Sequence, residues 1–320
     1  MEPLDPAPLA EIHAARVRLA GIVPRTPMVR LNVDDAPAEI YLKLENLQPI
    51  GSFKVRGAGN AMLLAGAARL AQGVYTASAG NMAQGVAWHA RRMGVPCSAV
   101  VPDHAPQTKL AAITRLGASI VKVPFAQWLE IVRSHRFDGL RGLFIHPVSD
   151  PAVIAGNGTI GLEILEDLPD VDTIVIPFGG GGLSCGIASA VRAIKPAVRV
   201  FACEVETASP LHASLAAGAP RDVTYTPSFV DGIGAPFVLP EMWPLARRLL
   251  DASLVMSLGD VAAAIRLLAE RNRVIAEGAG GASVAAALAG KAGTGKIVCV
   301  ISGGNIDTAK LAAILNGQIP

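Results

Sequence analysis

Short β-rich runs alternate with alanine-rich helical segments along this chain, and that alternation limits the possible folds more than any other feature. The runs read EIYLKL (39–44), GVYTAS (73–78), CSAVV (97–101), SIVKV (119–123), TIVIPF (173–178), VRVFACEV (198–205) and IVCVIS (297–302). Between them, NMAQGVAWHARRM (81–93), KLAAITRL (109–116) and DVAAAIRLLAERNRV (260–274) repeat apolar residues at helical spacing. Nearly continuous apolar strands separated by helices build parallel sheets covered on both faces. The number of such units calls for more than one sheet, and 320 residues suffice for about two domains.

Composition narrows the partners. The formal charge of +2 is spread without any Lys/Arg run, which argues against nucleic acid or an acidic membrane and for a small molecule. Cys97, Cys185, Cys203 and Cys299 form no CxxC, so neither a zinc site nor a disulfide framework is expected. MEPLDPAPLAEIHAAR carries acids and prolines where a secretory signal needs a basic start and an apolar run, so a cytoplasmic location is expected. The uncharged stretch Thr173 to Val191 contains Pro177 and four glycines, and reads as strand, loop and helix start instead of a membrane span.

Those glycines, Gly179, Gly180, Gly181 and Gly182, follow TIVIPF and open the helical pattern LSCGIASAVRAI. Without Cβ atoms, several N–H groups can converge at a helix N-terminus, which suits a phosphate; a tightly packed turn is the competing reading. A dinucleotide fold, and with it a nucleotide-binding oxidoreductase, would place GxGxxG in the first βαβ unit, which this cluster does not match. ISGGNID (301–307) and SAGN (78–81) also follow β-rich runs. Open α/β sheets bind ligands at the carboxyl ends of their strands, so these loops and Lys54 of GSFKVRGAGN (51–60) are candidates for one crevice.

Taken in order, GSFKVRGA, SAGNMAQGVA, GGGGL and SGGN resemble the motif series of the threonine/serine dehydratase family of fold-type II pyridoxal-phosphate (PLP) enzymes. KLENLQPIGSFK, GASIVKVP, AGNGTIGLEI, DGIG and EGAGGAS extend the resemblance across nearly the whole chain. It implies two α/β domains, each a mostly parallel twisted sheet flanked by helices: residues 1–50 with 147–320 as a larger PLP-binding domain, and 51–146 as a smaller inserted one. PLP would lie in the cleft between them. It also implies a homodimer, and no regulatory domain is expected after the single helix that follows SGGN.

Carried over residue by residue, the resemblance makes Lys54 the covalent anchor of PLP and the base that takes the Cα proton. A partly desolvated amine is neutral often enough for both tasks. Gly179, Gly180, Gly181, Gly182 and Leu183 would hold the phosphate through main-chain N–H groups. Asn81 would meet the ring 3′-oxygen, Phe53 would pack on the ring face, and Gly232 would line its side. Ser302 would face the pyridine nitrogen, where a hydroxyl does not impose a proton, a weaker electron sink suited to prompt loss of a β-substituent. Ser78, Ala79, Gly80, Asn81 and Met82 would form the substrate-carboxylate loop. The implied reaction is β-elimination of a β-hydroxy amino acid to a 2-oxo acid and ammonia.

Departures from the family pattern bear on the substrate. The loop commonly reads Ser-Ser-Gly-Asn-His; here Ala79 cannot move a proton, which disfavours the alternative of a racemase. A β-replacement enzyme stays open as the other alternative. Met82 in place of histidine suggests a less polar pocket and a bulkier substrate, phenylserine first and threonine next. Glu204 matches a metal-binding glutamate of some relatives, but Pro210 stands near where their aspartate would be, so no metal is assigned.

Overall fold

The computed structural model describes residues 2–320. In chain order its elements are α1 (Leu9–Leu19), β1 (Met28–Arg30), β2 (Glu39–Lys43), α2 (Lys54–Leu70), β3 (Val74–Ala77), α3 (Asn81–Met93), β4 (Cys97–Pro102), α4 (Gln107–Arg115), β5 (Ser119–Val123) and α5 (Phe125–Ser134). Then follow β6 (Leu143–Phe144), α6 (Pro151–Asp167), β7 (Thr173–Pro177), α7 (Gly182–Ile194), β8 (Arg199–Val205), α8 (Pro210–Ala217), α9 (Trp243–Leu249), β9 (Ala252–Met256), α10 (Leu258–Leu267), α11 (Gly278–Leu288), β10 (Lys296–Val300) and α12 (Thr308–Leu315).

The strands form two sheets, in the orders β1-β2-β10-β7-β8-β9 and β5-β4-β3-β6. Every pairing is parallel except β1 with β2. The early strand β2 lies beside the last strand β10, with Ile40 opposite Ile297, so the first and last parts of the chain share one sheet. Alternation of side chains across the pleat gives that sheet two apolar faces. Ile174 and Ile176 pack with Ile160 of α6 and Ile187 of α7. Val175 between them packs with Ile265 of α10 and Ala282 of α11 on the other side.

The β-rich runs and the helical patterns 81–93 and 109–116 appear as read, with α3 spanning Asn81–Met93. Three strands carried no clear sequence signal: β1 and β6 are only 3 and 2 residues long, and β9 (ASLVM) mixes small residues into a partly exposed strand. The pattern 260–274 does not stay α-helical. α10 ends at Leu267, Leu268–Asn272 widens into a π turn, and Arg273 closes it at φ +57°.

Helix α2 and helix α6 cross with their backbones nearly touching. A Cβ on Gly156 would lie 2.7 Å from the Arg56 carbonyl oxygen and 2.9 Å from Gly57 Cα, so only glycine allows the approach. Next to this crossing, the buried Arg56 guanidinium forks onto Glu45 (2.8 Å to each oxygen) and onto Glu163 (2.6 and 2.8 Å). Lys43 Nζ adds a 2.7 Å contact to Glu163. Burial alone would raise the Glu45 carboxyl, but Arg56 brings it below the ordinary range. Two cations and two anions thus fix the first turn of α2, on which Lys54 sits.

Candidate active site

Lys54 opens α2, and the chain leading to it is stapled to the segment after β10. Ser52 bridges Gly303, Phe53 N–H donates to Ser302 O at 3.0 Å, and Gly304 N–H donates to Gly51 O at 2.9 Å. Gly51 has φ +69°, and a Cβ there would stand 2.7 Å from Asn305 Oδ1, so this staple needs glycine. The half-buried Lys54 amine donates to Pro147 O at 2.6 Å and lies 5.2 Å from the Phe53 ring centroid. Burial lowers it to about 8, against an opposing pull from Glu277. An appreciable neutral fraction near pH 7 follows, which is what a nucleophilic lysine requires.

The tetraglycine loop lies across from this amine, beyond the segment 147–148. A Cβ on Gly180 would be 2.6 Å from either methyl group of Val148, and one on Gly182 would be 2.6 Å from Val148 O. Gly181 has φ +96° as the residue preceding α7. Among the described residues, the N–H groups of Gly179 through Leu183 donate to no protein acceptor. Five unpaired donors at the N-terminus of a helix form an anion cradle.

The loop 78–81 completes the group. Ser78 Oγ accepts Gly80 N–H at 3.2 Å, and Ser78, Ala79 and Gly80 are half-buried ahead of α3. Asn81 is oriented at both ends: its Oδ1 accepts Asn305 Nδ2 at 2.8 Å, and its Nδ2 donates to both Glu277 oxygens at 2.9 and 3.1 Å. Asn305 Nδ2 also donates to Ile50 O at 2.8 Å, so the Lys54, Asn81 and Ser302 loops are tied into one unit.

Glu277 was not singled out from the sequence, although it heads EGAGGAS. Its carboxyl is buried, and a Cβ on Gly303 or Gly232 would stand 2.6 or 3.1 Å from its Oε1. Burial raises it to about 7, with the Asn81 bond pulling the other way. The only local signal is an acid directly before a glycine-rich helix with no basic residue within four positions of it on the helix side.

A raised folded-state value means that the folded protein holds this proton more tightly than the unfolded chain does. Stability from Glu277 is therefore full below its ordinary value of 4.5 and is lost as pH rises toward 7. Glu277→Gln does not titrate. In urea unfolding of the apoprotein, the variant should gain on the parent by about 3 kcal/mol between pH 4.5 and 7 and no further above that. A difference independent of pH would contradict this placement.

Gly232 abuts both the tetraglycine loop, 3.5 Å from a Cβ on Gly179, and Glu277. Ser302 is buried, and its hydroxyl finds no partner among the described residues. Leu183 buries its side chain in the core and leaves only its N–H toward the loop. Phe53 is nearly buried among Ile154 and Phe178. Met82 is 1% exposed and shares a core cluster of the four-stranded unit with Met62, Val74 and Val86, a cluster against which Ala79 also packs. Glu204 caps α8, accepting Leu211 and His212 N–H at 2.9 and 2.8 Å and Ser253 Oγ at 2.6 Å.

Comparison with known proteins places this geometry in context. A family model described as "pyridoxal-phosphate dependent enzyme" matches residues 19–303. L-threonine ammonia-lyase of Thermotoga maritima is 39% identical over 314 residues, covering 96% of this chain and 78% of that protein. The catabolic L-threonine dehydratase TdcB of Escherichia coli strain K12 is 38% identical over 321 residues, covering 97% and 96%. Among solved structures, maize serine racemase superposes with a TM-score of 0.87 at 31% identity, covering 98% of each chain.

Proposed function

The chain belongs to the pyridoxal-phosphate dependent enzyme family, and from that premise we propose that it eliminates the β-hydroxyl of a small β-hydroxy amino acid, threonine or serine, giving a 2-oxo acid and ammonia. The observation that carries this is one unit of three loops. It sets a lysine amine lowered to about 8 beside a free serine hydroxyl, across from the cradle of unpaired N–H groups on the tetraglycine loop.

The donor set fits pyridoxal phosphate. A phosphate takes the unpaired N–H groups of Gly179 to Leu183, Ser302 offers a neutral hydroxyl to a ring nitrogen, and Lys54 is the amine for covalent attachment. When bound, the cofactor withdraws electrons from the substrate Cα. The chain supplies the rest. Lys54 takes the Cα proton, with Pro147 O orienting its amine. The N–H groups of loop 78–81 and the Ser78 hydroxyl grip the carboxylate. Asn81, held by Glu277 and Asn305, keeps that loop and the Lys54 loop in register.

The relatives named as threonine ammonia-lyase and dehydratase support elimination. Racemisation, the activity in the name of the maize structure, needs a second proton carrier; Ala79 offers a methyl group in the loop where a hydroxyl would serve. With Met82 in the core, nothing ranks phenylserine above threonine. The six-stranded part (1–50 and 147–320) and the inserted four-stranded part (51–146) are proposed as two domains with the cofactor in the cleft between them. A homodimer in the cytoplasm is proposed from exposed Leu47 and Ile275 and from four buried free thiols. No helix among the described residues is long and apolar enough to cross a membrane.

The test is a panel of serine, threonine, phenylserine and hydroxyaspartate, with 2-oxo acid, ammonia and enantiomeric composition measured together. Equal yields of oxo acid and ammonia from threonine or serine are expected, with no D-enantiomer accumulating. Enantiomer exchange without oxo acid would overturn the proposal.

A further inference from the structure

A buried polar cluster stands behind the Lys54 site, built from residues that the elimination chemistry does not use. His135 Nε2 lies 3.2 Å from Glu241 Oε1 and 3.0 Å from Ser149 Oγ. Ser149 Oγ donates to the same Glu241 oxygen at 2.8 Å. The His135 and His146 rings stack at 3.8 Å with 8° between planes. His146 Nε2 faces Val132 O at 2.9 Å, which makes it the N–H donor. Nδ1 is then the acceptor for Ser149 N–H (2.8 Å) and Val148 N–H (3.2 Å). Burial, reinforced by His135, lowers His146 to about 3, so this ring stays neutral. Burial would raise Glu241, yet the His135 and Ser149 bonds hold it at about 2.

Three separate pieces of chain meet here. His135 ends α5 of the four-stranded part, with φ +59°. Glu241 precedes α9 of the six-stranded part. The segment 146–149 runs between them, from β6 to α6. Left-handed backbone at a residue with a Cβ costs free energy and persists where the surroundings impose it. Opposite the cluster, the same short segment points two carbonyls into the site: Pro147 O holds the Lys54 amine at 2.6 Å, and Val148 O stands against Gly182.

We infer that His135, Ser149 and Glu241 are positioning residues for Lys54: by fixing the 146–149 segment from behind, they set the carbonyl that orients the reactive amine. This rests on the PLP reading of the site. Their bonds bridge the two sheet-bearing parts of the chain, so the seating of those parts against each other and the aim of the amine are coupled. The oxygen of Glu241 acts as an acceptor for two donors, a task that an amide oxygen also performs.

The test uses the full-length apoprotein and the rate at which it captures PLP, followed by absorbance, together with kcat and KM of the reloaded enzyme. Ser149→Ala should slow capture about ten-fold and lower kcat by a similar factor with KM nearly unchanged, as expected for a misaimed reacting group. His135→Asn keeps a residue that tolerates the left-handed backbone but is too short to reach Glu241, and should behave alike. It serves where Ser149→Ala does not fold. Glu241→Gln should stay within about three-fold of the parent, since it keeps the acceptor oxygen. Arg192→Ala, at the far end of α7, controls for loss of stability alone. Ser149→Ala and His135→Asn rates equal to that control would overturn the inference. So would a Glu241→Gln loss as large as theirs. A parent protein that captures no PLP would instead overturn the reading of the site.

Discussion

Lys54→Ala yields a folded protein that has lost the visible PLP chromophore and at least about three orders of magnitude in oxo-acid formation. Two roles disappear with one amine: covalent attachment and transfer of the Cα proton, the second alone worth about 10²–10⁴-fold. Folding should survive, because among the described residues the only hydrogen bond lost from the amine is that to Pro147 O, and a desolvated cation goes with it. The same placement sets a pH dependence in the parent. Capture of PLP by the apoprotein should rise with pH and level off above about 8, where an ordinary lysine would keep rising toward 10.5. A Lys54→Ala protein that keeps a borohydride-reducible chromophore would contradict the assignment.

The second large effect lies in the tetraglycine loop, where neighbouring glycines should respond differently. A methyl group on Gly180 meets the Val148 side chain at 2.6 Å, whereas one on Gly182 meets the Val148 carbonyl oxygen at 2.6 Å. Side chains can be shortened, but a main-chain carbonyl cannot be removed. Gly180→Ala and Gly182→Ala should each weaken PLP affinity about 100-fold, equivalent to about 3 kcal/mol of misaligned phosphate bonding. Adding Val148→Ala should restore most of the affinity to Gly180→Ala and none to Gly182→Ala. Fluorescence titration of the four apoproteins with PLP decides it. Equal rescue of both, or of neither, would show that the cradle is not shaped by Val148.

The parallel sheets and the glycine loops were legible because their signals are local. Apolar runs of strand length mark the sheets, and Gly179 to Gly182 can hardly be anything but a loop between strand and helix. The order of loops along the chain carried the family resemblance. Sequence places Met82 beside Asn81 but does not show that it is buried with Met62, Val74 and Val86. Glu277 was missed because its partner Asn81 lies 196 residues away. The His135, Ser149 and Glu241 cluster joins residues 14 to 106 positions apart, with no period or motif to announce it. Strand β9 emerges only by pairing with β8. In each case the missing information was a contact across the fold.

The most direct measurement is to reduce the PLP-loaded enzyme with borohydride, digest it and map the pyridoxyl group by mass spectrometry. The structure predicts the label on the peptide containing Lys54, and no label there in Lys54→Ala. A label on another lysine, such as Lys43 or Lys109, or a protein that carries none while producing oxo acid from threonine, would contradict the account.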